Sequence, residues 1–224
     1  MTLTGFASTA VSDPEGISYI VGGQFVLSLE RVRQVALIKY VGDGNATRAT
    51  TTKVTLGLPC AGNNGNEGIA WDGGSNFVVV KQRTPQQIFS TSISFAVGTS
   101  SNGDSTTEPT SLFNPSVFNA VDLSDVATLS QLPAGLTADD ASNLLVNGAS
   151  TGSLYEVTRA GAIMSSLFLG LTPTSTVLAT AALAHEGVTM DFAGNLYIVN
   201  ENGGGSSAAG DWGQVCHIAN GCNR

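Results

Sequence analysis

An acidic residue followed by glycine heads each of three similar stretches of this chain, and that recurrence constrains the fold more than any other feature. The stretches read Pro14-Glu15-Gly16-Ile17-Ser18-Tyr19, Asn66-Glu67-Gly68-Ile69-Ala70-Trp71 and His185-Glu186-Gly187-Val188-Thr189-Met190. Each opens a short alternating strand, passes a glycine turn, and enters a second strand rich in β-branched and aromatic residues: Phe25-Val26-Leu27, Phe77-Val78-Val79-Val80 and Leu196-Tyr197-Ile198-Val199. That order is the signature of a β-hairpin. A degenerate fourth copy runs from Leu123-Ser124-Asp125-Val126-Ala127 to Asn143-Leu144-Leu145-Val146, with Ser124 in the Glu place and Asp125 in the Gly place. The heads fall 52, 57 and 62 residues apart. A four-stranded propeller blade takes roughly 40 to 50 residues, so the spacing predicts blades with some longer loops.

Third strands follow in register at Gln34 to Tyr40, Gln87 to Thr91 and Ser153 to Val157, and outer strands are expected at Thr52 to Leu56, Thr110 to Phe113 and Met164 to Leu169. Gly98 to Pro109 reads as a polar surface loop within a blade. The fold class expected is therefore all-β, a β-propeller of four-stranded antiparallel blades. Residues 1–224 form one domain in this reading, with repeats starting near 14, 66, 123 and 185 and an irregular tail at 205–224. A β-sandwich does not explain one motif heading four units, and a β-helix repeats at shorter intervals. Four blades lie at the small limit for a ring, which leaves room for a truncated five- or six-bladed one. Met1 to Phe6 is expected to lend an outer strand to the last blade, because propellers protect their edges by closing the ring.

Charge narrows the partners. A net charge of −8, with nine Lys and Arg scattered along the chain, disfavours nucleic acid. No apolar stretch approaches the roughly 20 residues of a membrane helix. The N-terminus lacks the basic and apolar regions of a signal peptide. Three cysteines, Cys60, Cys216 and Cys222, allow one small loop and leave one thiol over. Two histidines and no Cys-x-x-Cys make zinc a weak reading. No Gly-x-Ser-x-Gly elbow or nucleotide-binding glycine loop is present.

Several runs in order are similar to those of the bacterial SdiA-regulated (YjiK-like) β-propeller family. They are Asp13-Pro14-Glu15-Gly16-Ile17, Leu29-Glu30-Arg31-Val32-Arg33-Gln34, Lys81-Gln82-Arg83-Thr84-Pro85, His185 to Asp191, and Leu196 to Gly205. Esterase-like-phytase and gluconolactonase-type propellers resemble it more distantly. The resemblance implies a propeller, often extracytoplasmic, and supplies no reaction. The chain departs from the family pattern by lacking a blade ahead of Pro-Glu-Gly and a closing strand after the triple glycine. The acidic residue after the second strand is kept at Glu30 and Glu201 and reads as Gln82 and Ser150 in the other copies.

First strands of blades line the channel of a propeller, so the heads are expected to bring carboxylates together. Like charges in company raise each other's pKa unless a cation sits among them. Calcium accepts six to eight hard oxygens, and Glu15, Glu67, Asp125 and Glu186 are the candidate Ca²⁺ ligands. The plain alternative is that each Glu merely caps its strand. Glu30, Arg31, Arg33, Lys81, Arg83 and Glu201 stand at the ends of second strands and are candidates for a small anionic or sugar-like ligand, or are solvated loop charges. His185 beside Glu186 is a candidate general base or a structural histidine. Two functions follow. One is a non-enzymatic binding or scaffold module, with a small molecule or protein as partner. The other is a metal-dependent hydrolase of esters, lactones or phosphoesters.

Overall fold

The alternating segments become hairpins, as their pattern requires. The computed structural model describes residues 2–6, 13–58, 64–103, 106, 108–132, 136–169, 185–200 and 215–218. Their strands fall in two compact units, Met1–Asn114 and Pro115–Arg224. The first unit holds β1 (Thr2–Thr4), β2 (Pro14–Tyr19), β3 (Gln24–Leu29), β4 (Gln34–Lys39), β5 (Asn45–Thr47), β6 (Thr52–Thr55), β7 (Asn66–Trp71), β8 (Asn76–Lys81), β9 (Gln87–Ser94) and β10 (Thr99–Ser100). The second holds β11 (Asp125–Thr128), the short helix α1 (Ala138–Ser142), β12 (Leu144–Gly148), β13 (Ser153–Val157), β14 (Ile163–Phe168), β15 (His185–Met190), β16 (Leu196–Asn200) and β17 (Val215–Ile218).

Three four-stranded antiparallel sheets result, ordered β2-β3-β4-β6, β10-β9-β8-β7 and β11-β12-β13-β14, with a three-stranded β15-β16-β17. Each is a meander with the repeat head on its first strand, which is the blade of a β-propeller. The β2–β3 turn shows why glycine is needed there: Gly22 and Gly23 both have positive φ, 62° and 76°, a geometry that matches the twist of the two strands.

In the first unit, Val26, Val35 and Val54 of one blade pack against Ile69, Phe77, Val79 and Phe89 of the next. Burying each such side chain is worth about 1.5–3 kcal/mol. Phe77 to Val80 is buried on both faces of its sheet, which is why β8 reads as one apolar run without alternation. A second cluster, Phe6, Leu27, Leu29, Ala36 and Ile38, covers the other face of the first blade in part. Burial is not uniform along the repeat. Ile69 and Val188 are 1% and 6% exposed, whereas Ile17 at the same repeat position is 60% exposed. In the second unit, Ala127, Leu145 and Leu154 meet Val188, Leu196 and Ile198.

Two expectations about edges are corrected. The outer strand of the second blade is β10, inside the stretch read as a loop, and not Thr110 to Phe113. A turn closed by the Gly98 N–H on the Ser94 carbonyl (2.8 Å) sends the chain straight back along β9. Residues 110–113 instead run beside Ile88, which takes a 2.7 Å hydrogen bond from Leu112 N–H. The N-terminal strand β1 pairs in parallel with β5 of its own unit rather than serving the last blade. Elsewhere β6, β13 and β14 lie where the pattern places them, whereas β17, paired with β16, falls inside the stretch 205–224 expected to be an irregular tail.

The turn between β15 and β16 depends on one acid. Asp191 Oδ1 accepts the N–H groups of Ala193 and Asn195, both at 2.9 Å, and Oδ2 accepts from Asn195 Nδ2 and the Tyr197 hydroxyl. Those bonds, the Asn195 side chain first, hold the carboxyl at about 2, well below its usual range. A depressed carboxyl supports the fold above its unfolded value near 4 and loses that support as pH falls through about 2. Acid titration followed by hydrogen exchange is expected to show β15–β16 amides losing protection in that window, and Asp191→Asn to remove the dependence.

Candidate functional site

The repeated glutamate has a structural meaning that its spacing did not disclose. The β2–β3 register slips between Pro14 and Gly16, the β7–β8 register between Asn66 and Ile69, and the β15–β16 register between His185 and Gly187. Each slip falls on the Glu-Gly head, so Glu15, Glu67 and Glu186 sit in β-bulges. A bulge inserts an unpaired residue and re-aims its side chain. An isolated glycine inside a strand pattern is the signal that marks such a place. The fourth copy has no slip: Asp125 pairs directly with Asn147.

Glu15 does not stand alone. Carboxylate oxygens of Asp13, Glu15 and Glu30 all lie within 4.8 Å of one another, the one such group of three among the described residues. Two routes bring them there. Asp13 and Glu15 flank Pro14 at the start of β2, while Glu30 begins the 3-10 turn Glu30–Val32 that ends β3. The Glu30 N–H donates to the Asp13 carbonyl at 2.9 Å, which ties these two chain segments together. Glu30 is only 2% exposed, and its Oε1 accepts the Gly65 N–H at 3.0 Å. Gly65 has to be glycine, since a Cβ there would fall 2.6 Å from the Glu30 carbonyl oxygen. Arg31 Nε donates to Asp13 Oδ2 at 2.8 Å and offsets part of the charge.

Of the four acids first expected together, Glu15 therefore groups with Asp13 and Glu30. Glu67, 4% exposed, is not in that group. Asp13 was missed as a site residue: it precedes β2 with positive φ (46°) and Glu15 lies in the bulge, so no strand alternation marks them as neighbours.

The basic candidates are occupied by their own loops. Lys81 is fully buried, and its ammonium donates to the carbonyls of Thr84 and Pro85, both at 3.1 Å, and to Glu108 Oε1 at 2.8 Å. An ammonium has three donors, so all are in use. Arg33 adopts positive φ (53°) and donates to the Leu58 carbonyl. Gly152 takes the same place after the second unit's turn Ala149–Thr151. The counterpart of Glu30 there is accordingly Ala149, one residue before the Ser150 expected. Arg83 Nε donates to Gln82 Oε1 at 2.9 Å. Glu201, Cys60 and Cys222 lie outside the described residues.

In the second unit His185 is buried, and its carbonyl accepts from Ser124 Oγ at 2.6 Å and Asn147 Nδ2 at 2.8 Å. The first unit repeats this tie: Ser28 Oγ donates to the Asn66 carbonyl at 2.8 Å. Asp125 is buried at the head of β11, its Oδ2 accepting the Val188 N–H at 2.8 Å. Burial pushes its carboxyl up to about 8. Hydrogen bonds from Val188 and Val126 oppose that rise, and the Glu186 charge adds to it. That rise sets Asp125 apart from Asp13, Glu15 and Glu30 as a cation ligand.

Blades with bulged acidic heads, tied to one another through second-strand side chains, define a β-propeller protein. The chain belongs to the SdiA-regulated family, whose model matches residues 2–203. Among solved structures it is similar to the glutaminyl cyclase of Myxococcus xanthus, at 12% identity over 85% of this chain and 66% of that one, with a TM-score of 0.49. A luciferin-regenerating enzyme matches at 14% identity over 91% and 76%, TM-score 0.49. A protein of unknown function from Bacteroides caccae matches at 12% over 93% and 78%, TM-score 0.45. The chain thus spans just under two thirds of the cyclase. Among the described residues, no helix is long and apolar enough to cross a membrane.

Proposed function

We propose that this chain is a non-enzymatic propeller module that binds a small molecule or a protein, works outside the cytoplasm, and holds a Ca²⁺-type ion on Asp13, Glu15 and Glu30. The observation that carries the reading is the trio itself, three carboxylates within 4.8 Å with one of them buried. Such a group repels itself unless a cation or proton intervenes. Its ligands are hard oxygens, and calcium tolerates the irregular geometry that a bulge and a turn provide, with carbonyls and water completing its shell. Extracellular calcium modules bind at about 10⁻⁴–10⁻³ M, the affinity range expected here. The setting outside the cytoplasm follows from the family resemblance.

Calorimetric titration after chelation tests this. Ca²⁺ is expected to bind with more heat than Mg²⁺ and to stabilise the fold by about 2.7 kcal/mol at a hundredfold excess over Kd. Glu15→Gln should abolish both effects. No heat and no melting shift at millimolar Ca²⁺ would reject the ion.

A further inference from the structure

Asp125 and Asn147 stand directly opposite each other in the β11–β12 ladder, and both are buried. The Val126 N–H also favours the Asp125 carboxylate, and each of the two side chains has one atom with a partner on β15. Asp125 Oδ2 accepts the Val188 N–H at 2.8 Å, and Asn147 Nδ2 donates to the His185 carbonyl at 2.8 Å. The remaining oxygens, Asp125 Oδ1 and Asn147 Oδ1, are closed off from solvent without a hydrogen-bond partner. Directly paired residues project from the same face with Cβ atoms about 4.5–5.5 Å apart. Two neighbouring acceptors cannot satisfy each other, and a buried polar atom in a native fold calls for an explanation.

One proton answers for both. Placed on Asp125 Oδ1, it makes a hydroxyl that donates to the Asn147 amide oxygen while Oδ2 keeps the Val188 N–H. We infer that Asp125 is a proton-binding site, and that the shared proton makes a pH-sensitive clasp between the β11–β12 pair and the head of β15. The bridge orients the Asn147 amide, whose N–H holds the His185 carbonyl, and His185 is the residue at which the bulge carrying Glu186 begins. Loss of the proton to solvent leaves a buried anion beside an amide oxygen, and the head of β15 loosens.

The charged group that bears on Asp125 is Glu186 of β15, and His185 precedes it on the same strand. β12 carries no titratable group, and Asp122 precedes β11 on its own segment. With the carboxyl at about 8, stability from this group is complete below the usual carboxylate range near 4 and is lost as pH rises to about 8. The site shares no residue with the Asp13, Glu15 and Glu30 trio, so the two readings stand or fall separately.

The test is pH-dependent unfolding of the full chain in chelator, together with infrared difference spectra between pH 6 and pH 9. One proton changes the unfolding constant up to tenfold per pH unit. The native protein is expected to lose stability over this range and to lose a protonated-carboxyl C=O band. Asp125→Asn, whose amide can make the same bridge without titrating, should lack the band and show a flatter pH profile, whatever His185 contributes. A native protein without the band overturns the inference even if the variant does not fold. An unchanged pH profile in Asp125→Asn overturns it too. Ca²⁺ that stabilises the native protein at pH 8 by an increment Asp125→Asn lacks would overturn it in favour of a bound cation.

Discussion

Lys81→Met is expected to destabilise the protein by about 3 kcal/mol, because removing one partner of a buried charge network leaves the other groups uncompensated. Lys81 has no exposed surface, and its three donors are spread over the Thr84 and Pro85 carbonyls and Glu108. Methionine fills much the same volume, so lost polar contacts and not a cavity dominate the effect. The Glu108 side chain is 30% exposed, and solvent screens that arm of the network. Glu108→Gln should therefore cost about 1 kcal/mol or less. Denaturant unfolding of both variants checks the ordering. Equal, small losses would mean that the ammonium is solvated and available to a ligand, as its position at the end of a second strand first indicated.

Gly16→Val should also cost about 3 kcal/mol, the upper end for overpacking. A Cβ on Gly16 would stand 2.5 Å from the Glu67 carbonyl oxygen and 3.0 Å from the Gly68 Cα. Both are backbone atoms of the next blade's bulge and have no side chain to turn aside. Gly187 heads the same motif in the last repeat, yet its nearest neighbour to a Cβ is Val199 at 3.5 Å, an ordinary contact. Gly187→Ala should be near neutral. A matched pair of thermal melts separates the two, and equal losses would mean that the motif needs glycine for its backbone freedom alone.

The blade heads, second strands and third strands were legible because side-chain alternation is a local property of a strand. Asp125 was found at the head of the degenerate copy by the same rule, but its pairing partner Asn147 was not. The bulge under each Glu-Gly was not read, although the glycine inside the strand was its mark. The second blade's outer strand is only two residues long and was lost in a Gly-Ser-Thr stretch that looks like loop. The acid trio was half visible. Glu15 and Glu30 were singled out for different roles, and only the 3-10 turn after β3 shows that they belong to one group with Asp13. Asn147 carried a signal as the one amide in an apolar strand, but its meaning depends on what lies opposite.

The repeat of Glu-Gly, turn and β-branched strand determined by itself that this chain forms antiparallel blades, since period-two alternation and glycine turns act over a few residues. Tertiary structure decided which charges are spent inside the fold and which gather: Lys81 saturated, Asp125 buried opposite Asn147, Asp13 beside Glu15 and Glu30. Charge partners and burial are set by residues tens of positions away, and no local pattern in the chain encodes the distance between them.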